Sequence, residues 1–350
     1  MRSVLYPLLL LPLVMACGNI PEQAPVPPKP EETLVFAFYN LENLWDPADD
    51  PSNPGDDEFT PQGPMKWTNE RYEKKLASLA RAIRGIAENQ GPDIIGLCEL
   101  ENAAVLERLV EEFLPKGEYR ILHAESPDER GIDVALLYRA RAAVASGFRM
   151  HRIDLGPDSR PTRDILHATF TREGRTFTVL VNHWPSRRGG EKQSSPLRER
   201  AAAKAARVID SLTALDPQAD IVFMGDLNDE PGNRSVYQVL DARRYIAGEK
   251  FPHRLINTAA PVAEADTIGS YYYQQDWETI DQIMLSPGLL DTRGLVLYET
   301  TETVFTPEFL RDPKADPVVR PPHRTYIRGT LYIAGTSDHF PVYLRVGNRE

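Results

Sequence analysis

The pattern of apolar and polar positions divides the chain into short strand-like runs and a few helical stretches. Leu34–Tyr39 is an apolar and aromatic run with prolines before it and polar residues after it, the signature of a strand. From Asn69 to Glu88 the apolar residues Tyr72, Leu76, Leu79, Ala80, Ile83 and Ile86 recur at helical spacing. Asp93–Cys98 reads as a buried strand and Asn102–Phe113 as a second helix. Strand-like runs follow at 119–124, 132–139, 143–153, 163–171 and 176–183, the last two joined through Glu173-Gly174 as a hairpin. An alanine-rich helix is predicted over 196–215, a strand over Ile221–Met224, a helix over 233–240, and strands near 279–285 and 341–346. Interleaved strands and helices with several hairpins, and no internal repeat, predict mixed β-sheets flanked by helices in one large sandwich.

The first residues follow a different pattern. A charged start, an apolar run from Leu5 to Val14, and Met15-Ala16-Cys17 form an export signal, too short to span a bilayer stably. Leu13-Val14-Met15-Ala16-Cys17 resembles a bacterial lipoprotein lipobox. That resemblance implies that residues 1–16 are a signal peptide and that Cys17 is lipidated and begins the mature chain. The alternative is an ordinary secretory signal, with Cys17 left on or removed by a different peptidase. Residues 17–32, with Pro21, Pro25, Pro27, Pro28 and Pro30, read as an extended spacer, and 33–350 as the folded domain. The expected location is an exported protein anchored by lipid on the periplasmic or cell-surface side of a membrane. Cys98 is then a lone core thiol, and no disulfide is expected.

Composition narrows the classes. With 350 residues, 41% hydrophobic and 26% charged, the chain has enough apolar content for a full core. Forty Lys and Arg against 51 Asp and Glu give a net charge of −11, which argues against coating nucleic acid by overall charge. Two cysteines exclude a disulfide framework and a four-cysteine zinc site. Residues 46–64 are rich in Asp and Glu but without regular ligand spacing, and read as a solvated loop rather than a calcium site. Seven Arg and Lys against two Glu cluster between 187 and 207. Arg187 and Arg188, beside a Gly-Gly pair, suit a bidentate grip on phosphate. The later ones, from Arg198 on, are expected on the helix's solvated face, and Arg324 is a further candidate.

Several apolar runs stop at polar clusters: Asn40 with Glu42 and Asn43, Glu99, Asn182-His183, Asp226 with Asn228, Asp281, and Asp338-His339. Carboxylates and imidazoles that follow apolar strands gather at one sheet edge, where ligands bind. Each has an ordinary reading as a cap, a turn or a structural histidine; the ordered set favours a site. Oxygen and imidazole donors without usable thiols favour a hard cation (Mg²⁺, or Mn²⁺ or Ca²⁺) over zinc.

Tyr39-Asn40-Leu41-Glu42-Asn43, Gly96-Leu97-Cys98-Glu99, Val181-Asn182-His183, Gly225-Asp226-Leu227-Asn228, Ile280-Asp281 and Ser337-Asp338-His339-Phe340-Pro341 occur in that order. Together they resemble the endonuclease/exonuclease/phosphatase superfamily, over roughly residues 34–346. Gly131–Tyr138 and Asn182–Gly190 are similar to its exported bacterial branch of endonucleases; Cys98 stands where the superfamily commonly has Gln. The resemblance implies a deoxyribonuclease-I-like four-layer sandwich and metal-dependent phosphodiester hydrolysis, with nucleic acid as substrate and no obligate protein partner. It implies Asn40, Glu99 and Asp338 around Mg²⁺, Asp226 as base with Asn228 orienting the water, and His339 held by Asp281. His183 and Tyr138 would hold phosphate oxygens. Which of Asp226 and His339 is the base stays open. The alternatives are a phospholipid, sphingolipid or inositol phosphate substrate, for which Tyr271-Tyr272-Tyr273 and Trp277 would supply an apolar hairpin, or a non-catalytic surface lipoprotein.

Overall fold

The computed structural model describes residues 32–51 and 53–349; the expected signal peptide, Cys17 and most of the spacer lie outside them. Its elements are β1 (Glu32–Leu44), α1 (Asn69–Asn89), β2 (Ile94–Leu100), α2 (Ala103–Arg108), β3 (Tyr119–His123), β4 (Asp133–Arg139), β5 (Val144–His151), β6 (Ile165–Arg172), β7 (Arg175–His183), α3 (Glu191–Leu215) and β8 (Asp220–Asp226). There follow β9 (Ala242–Arg243), β10 (Leu255–Asn257), α4 (Ala260–Ala265), β11 (Tyr271–Tyr273), β12 (Asp276–Glu278), β13 (Asp281–Leu285), β14 (Gly294–Val296), β15 (Thr303–Val304), β16 (Tyr326–Ile327), β17 (Leu331–Tyr332) and β18 (Val342–Arg349).

One sheet runs β14-β18-β1-β2-β4-β3 with β15 on β18, the other β5-β6-β7-β8-β13-β10-β9. Alternation along β1 explains how they stack: Leu34, Phe36 and Phe38 point into the core between the sheets, while Val35, Ala37 and Tyr39 face α1. With both faces covered, the central strands read as nearly continuous apolar runs. The sheets come close at Gly96, where a Cβ would lie 2.8 Å from Met224 Sδ and 3.0 Å from Val181. The alanines of α3, Ala201, Ala202 and Ala205, pack on Leu180 and Phe223 of the second sheet. The result is helix, sheet, sheet, helix.

Four strands end at the same edge. β1 runs parallel to β2, and β7 parallel to β8, with His183 opposite Asp226. β13 is antiparallel to β8, so its first residue, Asp281, also pairs with Asp226. β18 is antiparallel to β1 and starts opposite Phe38, which brings Asp338 and His339 to the end of β1.

The sequence reading is corrected in places. α3 begins at Glu191, and only a single π turn, Ser235–Val239, stands where a helix was expected over 233–240. The 46–64 loop is not wholly solvated: Asp56 and Phe59 are buried, and Phe59 stacks on Trp45 at 5.4 Å between centroids.

Candidate active site

The ends of β1 and β2 are bulged, with the register shifting between Asn40 and Leu44 and between Cys98 and Leu100. Glu42, Asn43 and Glu99 take positive φ of 49°, 53° and 58°, a conformation unusual for residues with side chains and typical of strained functional segments. The bulge turns backbone donors inward: Asn43 N–H donates to Glu99 Oε2 at 3.0 Å, and Glu42 N–H to Asn40 Oδ1 at 2.9 Å. The same Asn40 amide donates through Nδ2 to Asp226 Oδ2 at 3.0 Å, tying the first sheet to the second.

Asp226 is the meeting point. Its Oδ1 accepts the Asn228 N–H at 2.9 Å, and Oδ2 lies 3.7 Å from His183 Nε2 and 4.0 Å from His339 Nε2. His183 Nε2 is also 3.9 Å from Glu99 Oε1, and His339 Nε2 is 3.9 Å from Asp338 Oδ1. His339 Nδ1 and Asp281 Oδ2 are hydrogen-bonded at 2.6 Å, so Asp281 fixes the ring. Ser337 Oγ donates to Asn40 O at 2.7 Å, and the Asn228 side-chain amide to Trp184 O at 3.1 Å. Tyr271 packs against His339 with ring centroids 4.7 Å apart and planes tilted by 31°.

Burial and crowding of acids set the charge states. Burial, then the neighbouring Asp281 carboxylate, pushes Asp226 up to about 7. Glu42 is also raised to about 7, by burial and then by Asp338. Burial opposes the charged form of His339, but Asp281, Asp338 and Asp226 overcome it and hold His339 well above its ordinary value. His183 is driven well below its own by burial and by the cations Arg163 and Arg130, and is neutral.

Five carboxylates, Glu42, Glu99, Asp226, Asp281 and Asp338, therefore share one edge. Asp281 Oδ1 and His183 Nδ1 are buried there without a hydrogen-bond partner among the described residues. An oxygen-rich set with so little compensating positive charge fits a hard divalent cation.

Most of the expected site residues meet here: Asn40, Glu99, His183, Asp226, Asn228, Asp281, Asp338 and His339. Asn40 holds other groups through both ends of its amide. Tyr138 does not reach the site. It pairs with Ile94 at the far end of β2, five residues or about 16 Å from Glu99 at the rise of a strand, and packs edge-on against Phe170. Arg187 is engaged by Asn228 O and Glu278 Oε1, each at 2.7 Å. Arg198, expected on a solvated face, is fully buried on Asp229 Oδ1 at 2.7 Å. Arg188 is exposed, and Arg324 is half-buried beside Glu42 and Asn43. Neither makes an ion pair among the described residues. The sequence reading gave no role to Glu42, Lys75 or Arg163, whose guanidinium donates to Trp184 O at 2.7 Å.

A cleft of about 1120 Å³ opens beside Arg187, Trp277 and Glu278; seven carboxylates and four Arg or Lys line it.

The fold is a deoxyribonuclease-I-like α/β sandwich, and the family match supports a phosphodiesterase-type hydrolase. The chain belongs to the Endonuclease/Exonuclease/phosphatase family, whose profile it matches over residues 35–348, and enzymes of that family depend on divalent metal. No curated protein matches the sequence. Among solved structures it is similar to a humanized D. rerio TDP2, with 15% identity, TM-score 0.55, and coverage of 90% of this chain and 99% of that one. D. rerio TDP2 complexed with a single-strand DNA product gives 15% identity, TM-score 0.54 and coverage of 91% and 100%. An endonuclease/exonuclease/phosphatase from Bacteroides vulgatus gives 16%, 0.53, 91% and 100%.

Proposed function

We propose that the protein is a Mg²⁺-dependent nuclease, exported and held by lipid on Cys17 at a membrane surface. The observation that carries the chemistry is the Asp226 carboxylate, bonded to Asn40 from the other sheet and lying within 4.0 Å of two imidazoles. Glu99 and Asp338, with Asn40 close by, would hold the metal, which supplies charge neutralisation at the phosphate when bound. Asp226, raised toward neutrality, accepts the proton of the attacking water, and the Asn228 side chain orients that water. His339, kept protonated and oriented by Asp281, donates to a non-bridging phosphate oxygen. Neutral His183 donates through one ring nitrogen to a second. Arg324 and Arg188, which make no ion pair among the described residues, grip the flanking phosphates.

A nucleic acid substrate is supported by the structural likeness to a protein whose structure holds a single-strand DNA product. The acid-rich cleft past Glu278 repels a polyanion, so the strand approaches from the Arg324 side. Cleavage of plasmid and single-stranded DNA, RNA, sphingomyelin vesicles and bis-(p-nitrophenyl) phosphate, with Mg²⁺ and with chelator, tests the reading. Chelator-sensitive cleavage of nucleic acid is the expected result. Lipid hydrolysis alone would move the assignment to head groups, and activity retained in Asp226→Ala would overturn the mechanism.

A further inference from the structure

Lys75 lies on the buried side of α1, among Tyr72, Leu76 and Leu79, with its side chain 2% exposed. Its ammonium donates to the Glu42 backbone carbonyl at 2.6 Å and to Thr325 Oγ1 at 2.7 Å, and lies 3.7 Å from Glu42 Oε2. Thr325 returns a hydrogen bond, its N–H donating to Glu42 Oε2 at 2.6 Å. One buried cation thus joins a helix, the bulge ending β1 and the loop that carries Arg324.

Stability alone does not account for a lysine there. Ordering and burying a charge is costly, and replacing a buried pair such as Lys75 and Glu42 together by apolar side chains of similar volume is commonly neutral or stabilising. What the lysine fixes is the bulge. Held by its carbonyl, Glu42 presents its N–H to Asn40, whose amide holds Asp226; the next residue, Asn43, presents its N–H to Glu99. Both sides of the site are reached in two or three bonds.

We infer that Lys75 is a positioning residue for the metal-binding edge: by clamping the Glu42 carbonyl and Thr325 it sets the orientation of Glu99 and Asp226 and the placement of the Arg324 loop. The inference rests on the metal-site reading given above, and goes beyond it in assigning that function to a residue that touches neither metal nor substrate. Groups that orient ligands from behind are worth about 10- to 100-fold in metal affinity.

The test is calorimetric titration of the full chain with Mn²⁺, alongside steady-state hydrolysis of bis-(p-nitrophenyl) phosphate. Lys75→Met, which keeps volume and removes the donors, is expected to weaken Mn²⁺ binding about 10-fold and to lower kcat with KM nearly unchanged. Ile209→Val, in the core under α3, serves as a variant destabilised away from the site and is expected to bind Mn²⁺ like the wild type. If Lys75→Met does not fold, Thr325→Val removes one of the lysine's acceptors and is expected to cost about threefold in Mn²⁺ affinity, the worth of a single hydrogen bond. Unchanged Mn²⁺ affinity in the folded Lys75→Met protein, or in Thr325→Val where that is used, overturns the inference, as does an equal loss in Ile209→Val. A wild-type protein that binds no Mn²⁺ overturns the metal-site reading itself, an outcome separate from a variant matching a metal-binding wild type.

Discussion

Asn40 and Asp226, 186 residues apart and in different sheets, are joined by one buried hydrogen bond of 3.0 Å. The bond directly links the Glu99 half of the site to the His183–Asp281 half. Asn40→Ala leaves Asp226 Oδ2 and the Glu42 N–H without these partners. A cost of about 1–3 kcal/mol in stability is expected from the orphaned groups, together with a fall of at least about 10-fold in kcat. Thermal unfolding and steady-state kinetics on one preparation measure both; a loss of stability with intact kcat would contradict the role given to this bond.

Asp281→Asn separates the two tasks given to Asp281, orienting the His339 ring and keeping it protonated. The ring keeps a hydrogen-bonding neighbour but loses the carboxylate in contact with Nδ1, so its proton affinity falls toward or below the ordinary histidine value. A drop of about 10²- to 10⁴-fold in kcat is expected at neutral pH, with the alkaline limb of the pH–rate profile moved to lower pH. A limb that stays in position would remove His339 as the proton donor.

Metal and pH are linked through the raised carboxylates. Asp226 and Glu42 have folded values of about 7, against about 4 when unfolded. The native state therefore holds protons that the unfolded chain releases. Their contribution to metal-free stability is complete below about pH 4 and is lost as pH rises toward 7. A divalent cation held beside them disfavours those protons by its charge, so the rise in Tm on adding Mg²⁺ is expected to grow between pH 5 and 7. Asp226→Asn should flatten that growth in a thermal-shift series.

The strength of the grip on a polyanion follows from which cations are uncommitted. Of the residues expected to contact phosphate, Arg187 is held by Glu278, which leaves Arg188 and Arg324. Two phosphate contacts on a single strand give a log–log salt slope near −1.4. Arg324→Ala should raise KM with little change in kcat, whereas Arg187→Ala, which frees the backbone of Asn228, should lower kcat. A slope several times steeper would mean a larger basic surface than these two residues supply.

Much of this was legible before the structure. The strand ends carrying Asn40, Glu99, His183, Asp226, Asp281 and Asp338-His339 could be read because apolar runs stop abruptly at polar residues, and the family resemblance gave them an order. Tyr138 misled because its place in the motif says nothing of strand direction: β4 runs antiparallel to β2, which carries its C-terminal end away from Glu99. Arg198 misleads because a charged residue in an alanine-rich helix reads as outer face, while its partner, Asp229, lies 31 positions on. Lys75 did leave a signal. Between Tyr72 and Leu79 it sits on the apolar stripe of α1, where a cation needs a buried partner, and the bulged backbone that provides one has no local sequence signature.

The closeness of the two sheets at Gly96 has a consequence for the chemistry. Glu99 and Asp226 belong to separate halves of the sandwich, and Gly96 lies three residues upstream of Glu99, against Met224 and Val181. The thickness of the hydrocarbon seam there is the ruler for the gap between the two carboxylates. A single methyl group at residue 96 would act as a shim, prying the halves apart and detuning the reaction centre without altering any residue that takes part in it.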